Sequence, residues 1–288
     1  MAFLAIATLL PLMSMPVDGA SAVRCGESSS YCPADMACCT SKYSPSTYGC
    51  EVAIGNLSDV SAGCGDGLPK GDTLCCKMGP AESPSRSLAN VLVIGDSVSI
   101  GYTGPLAKRL FDVAKVQHGP WDVSDGGALD TAYGVGCLDR WLVTQAQEMV
   151  QWDLITFNFG LHDLTNSSHC EGLYAQQLAN ITKRLVALNT KVMFVTTTPF
   201  MPLRTKGNTV VEDMNTMAQK LAAEYNLPVI DLYHTVTGAC GAVYSSCSIC
   251  RTNPCSYHYN AEGMSLQAAS MEAAIRQHLG PHASLLTV

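Results

Sequence analysis

From Val91 onward the chain is predicted to fold as an α/β domain of three layers, a parallel sheet between two sets of helices, behind a small disulfide-rich N-terminal module. Three observations carry this. Short apolar runs alternate with longer helical patterns up to Leu279, the rhythm of strands joined by crossover helices. A Gly-Asp-Ser turn, Gly95-Asp96-Ser97, follows the first apolar run, where sheets of this kind carry their chemistry. And eight of the 14 cysteines fall before Gly79, in a stretch with no apolar periodicity.

The chain opens with an apolar run, Met1 to Met13, followed by the small residues Ala20-Ser21-Ala22. This predicts a signal peptide over residues 1–22, too short to span a bilayer, and so secretion with no transmembrane segment. Fourteen cysteines fit an oxidising compartment. Asn56, Asn166 and Asn180 open Asn-x-Ser/Thr tripeptides and are candidate glycosylation sites. A net charge of −7, with no run of Lys or Arg, argues against a nucleic-acid partner.

Residues 23–78 read as a separate module in which disulfides stand in for a core. The module is a candidate for binding a surface or a glycan. Its segment Cys32-Pro33 to Cys38-Cys39 faintly resembles half a granulin repeat, and its adjacent cysteine pairs resemble those of hydrophobins. Residues 79–90, with two prolines and three serines, read as a linker. In residues 91–288 the expected strands are Val91 to Ile94, Leu154 to Phe159, Val192 to Thr197 and Val229 to Leu232, with a weaker one at Trp121 to Ser124. The expected helices are Gly104 to Val116, Leu138 to Val150, Gly172 to Leu188, Val211 to Tyr225 and Ser265 to Leu279.

The segment from Val91 to Tyr102 places Ser97 in the turn between a strand and a helix, where its hydroxyl is exposed and the helix N–H groups can receive negative charge. An ordinary capping turn has the same appearance. Two later segments decide between them. Phe157-Asn158-Phe159-Gly160-Leu161-His162-Asp163 follows a strand, and His258-Tyr259-Asn260-Ala261-Glu262-Gly263 precedes the last helix. In this order the segments resemble the first, third and fifth blocks of the SGNH (GDSL) hydrolases, over Val91 to Leu279. The resemblance implies a flavodoxin-like sheet, Ser97 as nucleophile and His258 as base. It places a second-block glycine in Asp125-Gly126-Gly127-Ala128-Leu129-Asp130-Thr131, for which Gly127 is taken over Gly126, the alternative for either being a plain turn glycine. The stretch from Trp152 to Asp163 further resembles a subgroup of bacterial carbohydrate esterases.

Two departures stand out. His162 occupies the usual asparagine position, and Cys255 the position of the acid three residues before the histidine. The implied mechanism is acyl transfer: His258 takes the Ser97 proton, Ser97 attacks an ester carbonyl, and water releases the acyl group. The oxyanion donors would be the Ser97 N–H, the Gly127 N–H and the His162 ring. A carbonyl near Cys255, or an acid such as Asp231, would have to orient His258, and a disulfide at Cys255 would hold its loop rigid. Asp96 and Asp163 are expected to support loops.

The cluster Cys240, Cys247, Cys250 and Cys255 contains a Cys-x-x-Cys spacing but is read as disulfides rather than a zinc site, which leaves Cys137 and Cys170 as a possible pair. No cofactor or metal is called for. The substrate class is a carboxylic ester, of an acetylated carbohydrate or of a lipid or phospholipid. The missing acid keeps open a second class, a catalytically inactive SGNH-fold binding protein.

Overall fold

A computed structural model of the chain describes residues 23–24, 31–32, 36–40, 73–77, 79–80, 82–120, 126–144, 150–166, 171–200, 207–241 and 244–280. Four strands precede the main domain. β1 (Val23–Arg24) pairs antiparallel with β2 (Tyr31–Cys32), and β3 (Met36–Thr40) with β4 (Thr73–Lys77). The expected leader and Asn56 lie outside the described residues, as do residues 33–35 of the granulin-like segment, whose cysteines fall on β2 and β3.

The main domain is built on five parallel strands: β5 (Ala89–Ile94), β6 (Ala114–Gly119), β7 (Leu154–Phe157), β8 (Lys191–Val195) and β9 (Val229–Ile230). Their spatial order is β6-β5-β7-β8-β9, the flavodoxin-like arrangement. In it β6 is added on one side of β5 and β7 on the other, so the strand order reverses at β5 and a crevice opens at the carboxyl ends of β5 and β7. Val91, Leu92, Val93, Ile94, Leu154 and Ile155 are all buried, as expected of strands covered on both faces.

The helices are α1 (Ser97–Arg109), α2 (Thr131–Trp141), α3 (Leu161–Asn166), α4 (Glu171–Val186), α5 (Gly207–Glu224), α6 (Leu232–Cys240) and α7 (Ala261–Leu279). α7 packs on α1 and α6, while α4 packs on α2 and α5. These two groups flank the sheet. No helix among the described residues is long and apolar enough to cross a membrane.

Several boundaries differ from the sequence reading. The edge strand is Ala114–Gly119, in a stretch read partly as helix, whereas Trp121 to Ser124 lies outside the described residues. The preceding helix begins at Ser97 because the Asp96 carboxylate accepts the Val98 N–H and so caps it. α2 runs from Thr131 rather than from Leu138, since Asp130 caps it by accepting the Tyr133 N–H. α6, unanticipated, is capped by Asp231. The last helix starts four residues early, at Ala261, because Asn260 accepts the N–H groups of Glu262 and Gly263.

Cys137 does not await Cys170, which lies outside the described residues; it is bonded to Cys76. This disulfide joins β4, in the cysteine-rich stretch, to α2 in the main domain, and both cysteines are fully buried. Cys240 pairs with Cys247 and Cys250 with Cys255. The four cysteines with a zinc-like spacing are thus two disulfides.

Candidate active site

The sheet delivers Ser97 directly. β5 ends at Ile94, the chain turns through Gly95 and Asp96, and Ser97 is the first residue of α1. Its Oγ lies 2.8 Å from His258 Nε2, so two residues 161 positions apart are hydrogen-bonded as a nucleophile and its base would be. If the serine hydroxyl donates to Nε2, the neutral ring carries its proton on Nδ1, for which no hydrogen bond is found among the described residues.

Burial is the main cause that holds the His258 pKa below the ordinary histidine value; the nearby Arg251 charge adds to it, and Asp96 opposes it. A base must be neutral to accept a proton, so a lowered pKa keeps His258 competent further into acid. The acid limb of kcat/KM should therefore have its midpoint below the free-histidine pKa of about 6.5. Arg251→Ala should move that midpoint upward, by roughly a few tenths of a pH unit because Arg251 is exposed and its field is screened. A pH–rate profile of both proteins checks the direction.

The segment carrying His258 is cross-braced. Arg251 N–H donates to the His258 carbonyl, Asn260 N–H to the Ile249 carbonyl and Cys255 N–H to the Ser245 carbonyl. The Asn260 side chain also donates to the Ser248 and Cys250 carbonyls. The Cys250–Cys255 disulfide closes the base of this loop. The residue where the family pattern has an acid is therefore a covalent brace.

Asp231 does not reach His258. Its carboxylate bonds His234 Nδ1 at 2.6 Å and accepts from the Thr196 hydroxyl and the His234 N–H, which makes it the cap of α6. Asp96, the residue before Ser97, is buried. Desolvation raises its pKa, against the fields of His162 and His258. Asp163 is also buried, and accepts both the N–H and the hydroxyl of Thr131. It ties α3 to the start of α2 and hence to the preceding glycine turn.

That turn supplies the second side of the site. Gly126 and Gly127 have φ of +30° and +57°, and Leu129 has φ of +53°, so the backbone is left-handed at three of four positions. A Cβ on Gly127 would lie 2.4 Å from the Gly95 carbonyl oxygen. Only glycine permits this approach. Ala128 N–H donates to that same Gly95 carbonyl at 2.8 Å, which locks the turn onto the nucleophile turn. Neither the Ser97 N–H nor the Gly127 N–H is hydrogen-bonded among the described residues, as two donors reserved for an oxyanion would be. His162, the second residue of α3, has its Cε1 3.3 Å from where a Gly126 Cβ would stand. The structure thus brings Ser97, His258, Gly127 and His162 to one place at the ends of β5 and β7.

Sequence reasoning missed several supporting residues. Ser99 Oγ is 2.6 Å from both the Asp96 carbonyl and His118 Nε2, and His118 Nδ1 is 2.8 Å from the Pro120 carbonyl. Because the peptide unit is planar and trans, fixing the Asp96 carbonyl also fixes the direction of the Ser97 N–H. Ser99 was visible in the motif, but nothing in the sequence marked His118. The Tyr257 ring, 38% exposed, meets the His258 ring edge-on at 4.5 Å between centroids and stacks on Phe200.

Comparison with known proteins bears on the fold and on the family. Two solved structures share the fold. An acetyl xylan esterase, AlAXEase, superposes with a TM-score of 0.51 at 16% identity, over 65% of this chain and 99% of its own. A lipase/acylhydrolase from Enterococcus faecalis gives 0.51 at 20% identity, over 67% and 98%. No curated protein matches the chain in sequence. Residues 93–266 match the GDSL-like lipase/acylhydrolase family, an interval that begins within β5 and ends beyond His258. The chain belongs to that family and is a carboxylic ester hydrolase.

Proposed function

We propose that the protein is an exported serine esterase that removes small acyl groups, acetyl first among them, from carbohydrate. The observation that carries the chemistry is the 2.8 Å contact between Ser97 Oγ and His258 Nε2. In the first step the Oγ–H proton passes to Nε2 as Oγ bonds the ester carbonyl carbon. The Ser97 and Gly127 N–H groups and the His162 ring receive the charge that develops on the carbonyl oxygen. The tetrahedral species collapses to an acyl-enzyme, with the leaving alcohol taking its proton from Nε2. Water, deprotonated by the same nitrogen, then releases the acid.

The carbohydrate part of the proposal is supported by the Tyr257 ring beside the base. A partly exposed aromatic ring beside the reacting centre suits the apolar C–H face of a sugar. The fold shared with an acetyl xylan esterase agrees with it. Three disulfides among the described residues support export through the expected leader, since such bonds persist in oxidising compartments. The division into a cysteine-rich module, a linker and a hydrolase domain, with the module binding a surface or glycan, belongs to the same proposal.

A chain-length series decides the substrate class. With p-nitrophenyl acetate, butyrate and octanoate, kcat/KM should be highest for acetate, and acetylated xylan should release acetate. A maximum at octanoate would replace this reading with a lipase. Equal rates for wild type and Ser97→Ala would leave a binding protein.

A further inference from the structure

The family match begins at Val93, yet one strand from the cysteine-rich stretch reaches the active site. Lys77, the last residue of β4, is only 5% exposed. Its Nζ donates to the Gly127 carbonyl at 3.2 Å, and its N–H donates to the Tyr133 hydroxyl at 2.7 Å. Its neighbour Cys76 is bonded to Cys137 on α2. One hydrogen bond into the glycine turn and two anchors on α2 therefore act within two consecutive residues.

The glycine turn needs such help. Left-handed backbone at Gly126, Gly127 and Leu129 gives no repeating hydrogen-bond pattern, and a non-glycine residue in that region costs about 1–2 kcal/mol. A turn of this kind keeps one shape only where its surroundings over-determine it. From one side the Gly95 carbonyl holds the Ala128 N–H; from the other Lys77 Nζ holds the Gly127 carbonyl, both on the peptide unit that follows Gly127, while the unit that carries the Gly127 N–H is tied within the turn by Leu129 N–H donating to the Gly126 carbonyl at 3.1 Å. Burying an ammonium group costs several kcal/mol unless polar partners are placed for it, and the Gly127 carbonyl is one of them.

We propose that β4 is an arm of the active site, with Lys77 as a positioning residue that aims the Gly127 N–H at the oxyanion and the Cys76–Cys137 disulfide as its anchor. The proposal rests on the reading of Ser97 as the nucleophile of an esterase. It makes the cysteine-rich stretch part of the catalytic unit, whatever else it binds.

The test uses the full chain, with rates expressed per active site titrated by a fluorophosphonate. Lys77→Met keeps the length of the side chain and removes the donor. It should lower kcat by about tenfold to a hundredfold, the effect of a loosened rather than deleted oxyanion donor, with KM within about twofold of wild type. Affinity for a trifluoromethyl ketone, which forms the tetrahedral adduct, should weaken by the same factor as kcat/KM, a parallel that a general loss of folding would not produce. Lys77→Arg, which restores a cationic donor, should recover part of the loss. Tyr133→Phe, which frees the Lys77 backbone but leaves its ammonium group, gives a smaller fall in the same parallel and serves if Lys77→Met does not fold. Wild-type kcat in a folded Lys77→Met protein, or in Tyr133→Phe where that variant is used, would overturn the proposal. If instead wild type shows no Ser97-dependent turnover, the esterase reading itself has failed, and this inference falls with it.

Discussion

Ser97→Ala is expected to lower kcat for short-chain esters by about 10³-fold, and His258→Ala by nearly the same factor. The size follows from the absence, among the described residues, of an acid bonded to His258. In a serine protease with a complete triad, loss of the nucleophile costs roughly 10⁶-fold and loss of the acid alone roughly 10⁴-fold. A pair with no acid on the base therefore starts lower and has less to lose, on the order of 10²-fold. Here the main chain that carries His258 is braced by backbone bonds and the Cys250–Cys255 disulfide, and the ring itself is held by Ser97 Oγ and the edge contact with Tyr257. This orientation recovers part of what an acid supplies, though not the charge that stabilises an imidazolium. Because Ser97 and His258 share one hydrogen bond, the double variant should be no slower than either single one. Steady-state kcat for the three proteins checks this, and losses that multiply would show that the two residues do not act as a unit.

Breaking that brace should have the next largest effect. Cys255→Ser opens a loop of a few residues, for which chain entropy predicts a loss of about 2 kcal/mol of stability. The catalytic consequence is larger in proportion. A base displaced by about 1 Å can cost about a hundredfold, so kcat should fall about tenfold to a hundredfold with KM little changed. Cys255→Asp loses the same disulfide but places a carboxylate three residues before His258, and should turn over faster than Cys255→Ser. Thermal melts and steady-state kinetics of both variants test the point. If Cys255→Ser matched wild type in both measurements, the disulfide would have no part in orienting the base.

The parts legible in the sequence were those fixed by short-range rules. Continuous apolar runs such as Val91 to Ile94 are buried on both faces and announce themselves as strands. Ser97 was suggested by its place after such a run, whereas His258 and Gly127 came only from the resemblance to the SGNH blocks in their order along the chain. Less legible were features set by contacts distant in sequence. The strand Ala114–Gly119 reads Ala-Lys-Val-Gln-His-Gly; its polar residues hide a buried position, and Gln117 and His118 are buried all the same. α2 and α6 were misplaced or missed because Asp130 and Asp231 start them as caps, and a lone aspartate is a weak start signal. The same Asp231 looked available to His258 but spends its carboxylate on His234 and Thr196. The partner of Cys137 could not be read at all, since spacing does not determine pairing.

The central claim is that Ser97, activated by His258, forms the covalent intermediate. The most direct measurement is intact and peptide mass spectrometry after reaction with a fluorophosphonate. One adduct per chain is expected, on the peptide containing Ser97, with labelling slowed at least about a hundredfold in His258→Ala. An adduct on a different serine such as Ser99, or labelling that is indifferent to His258, would contradict it.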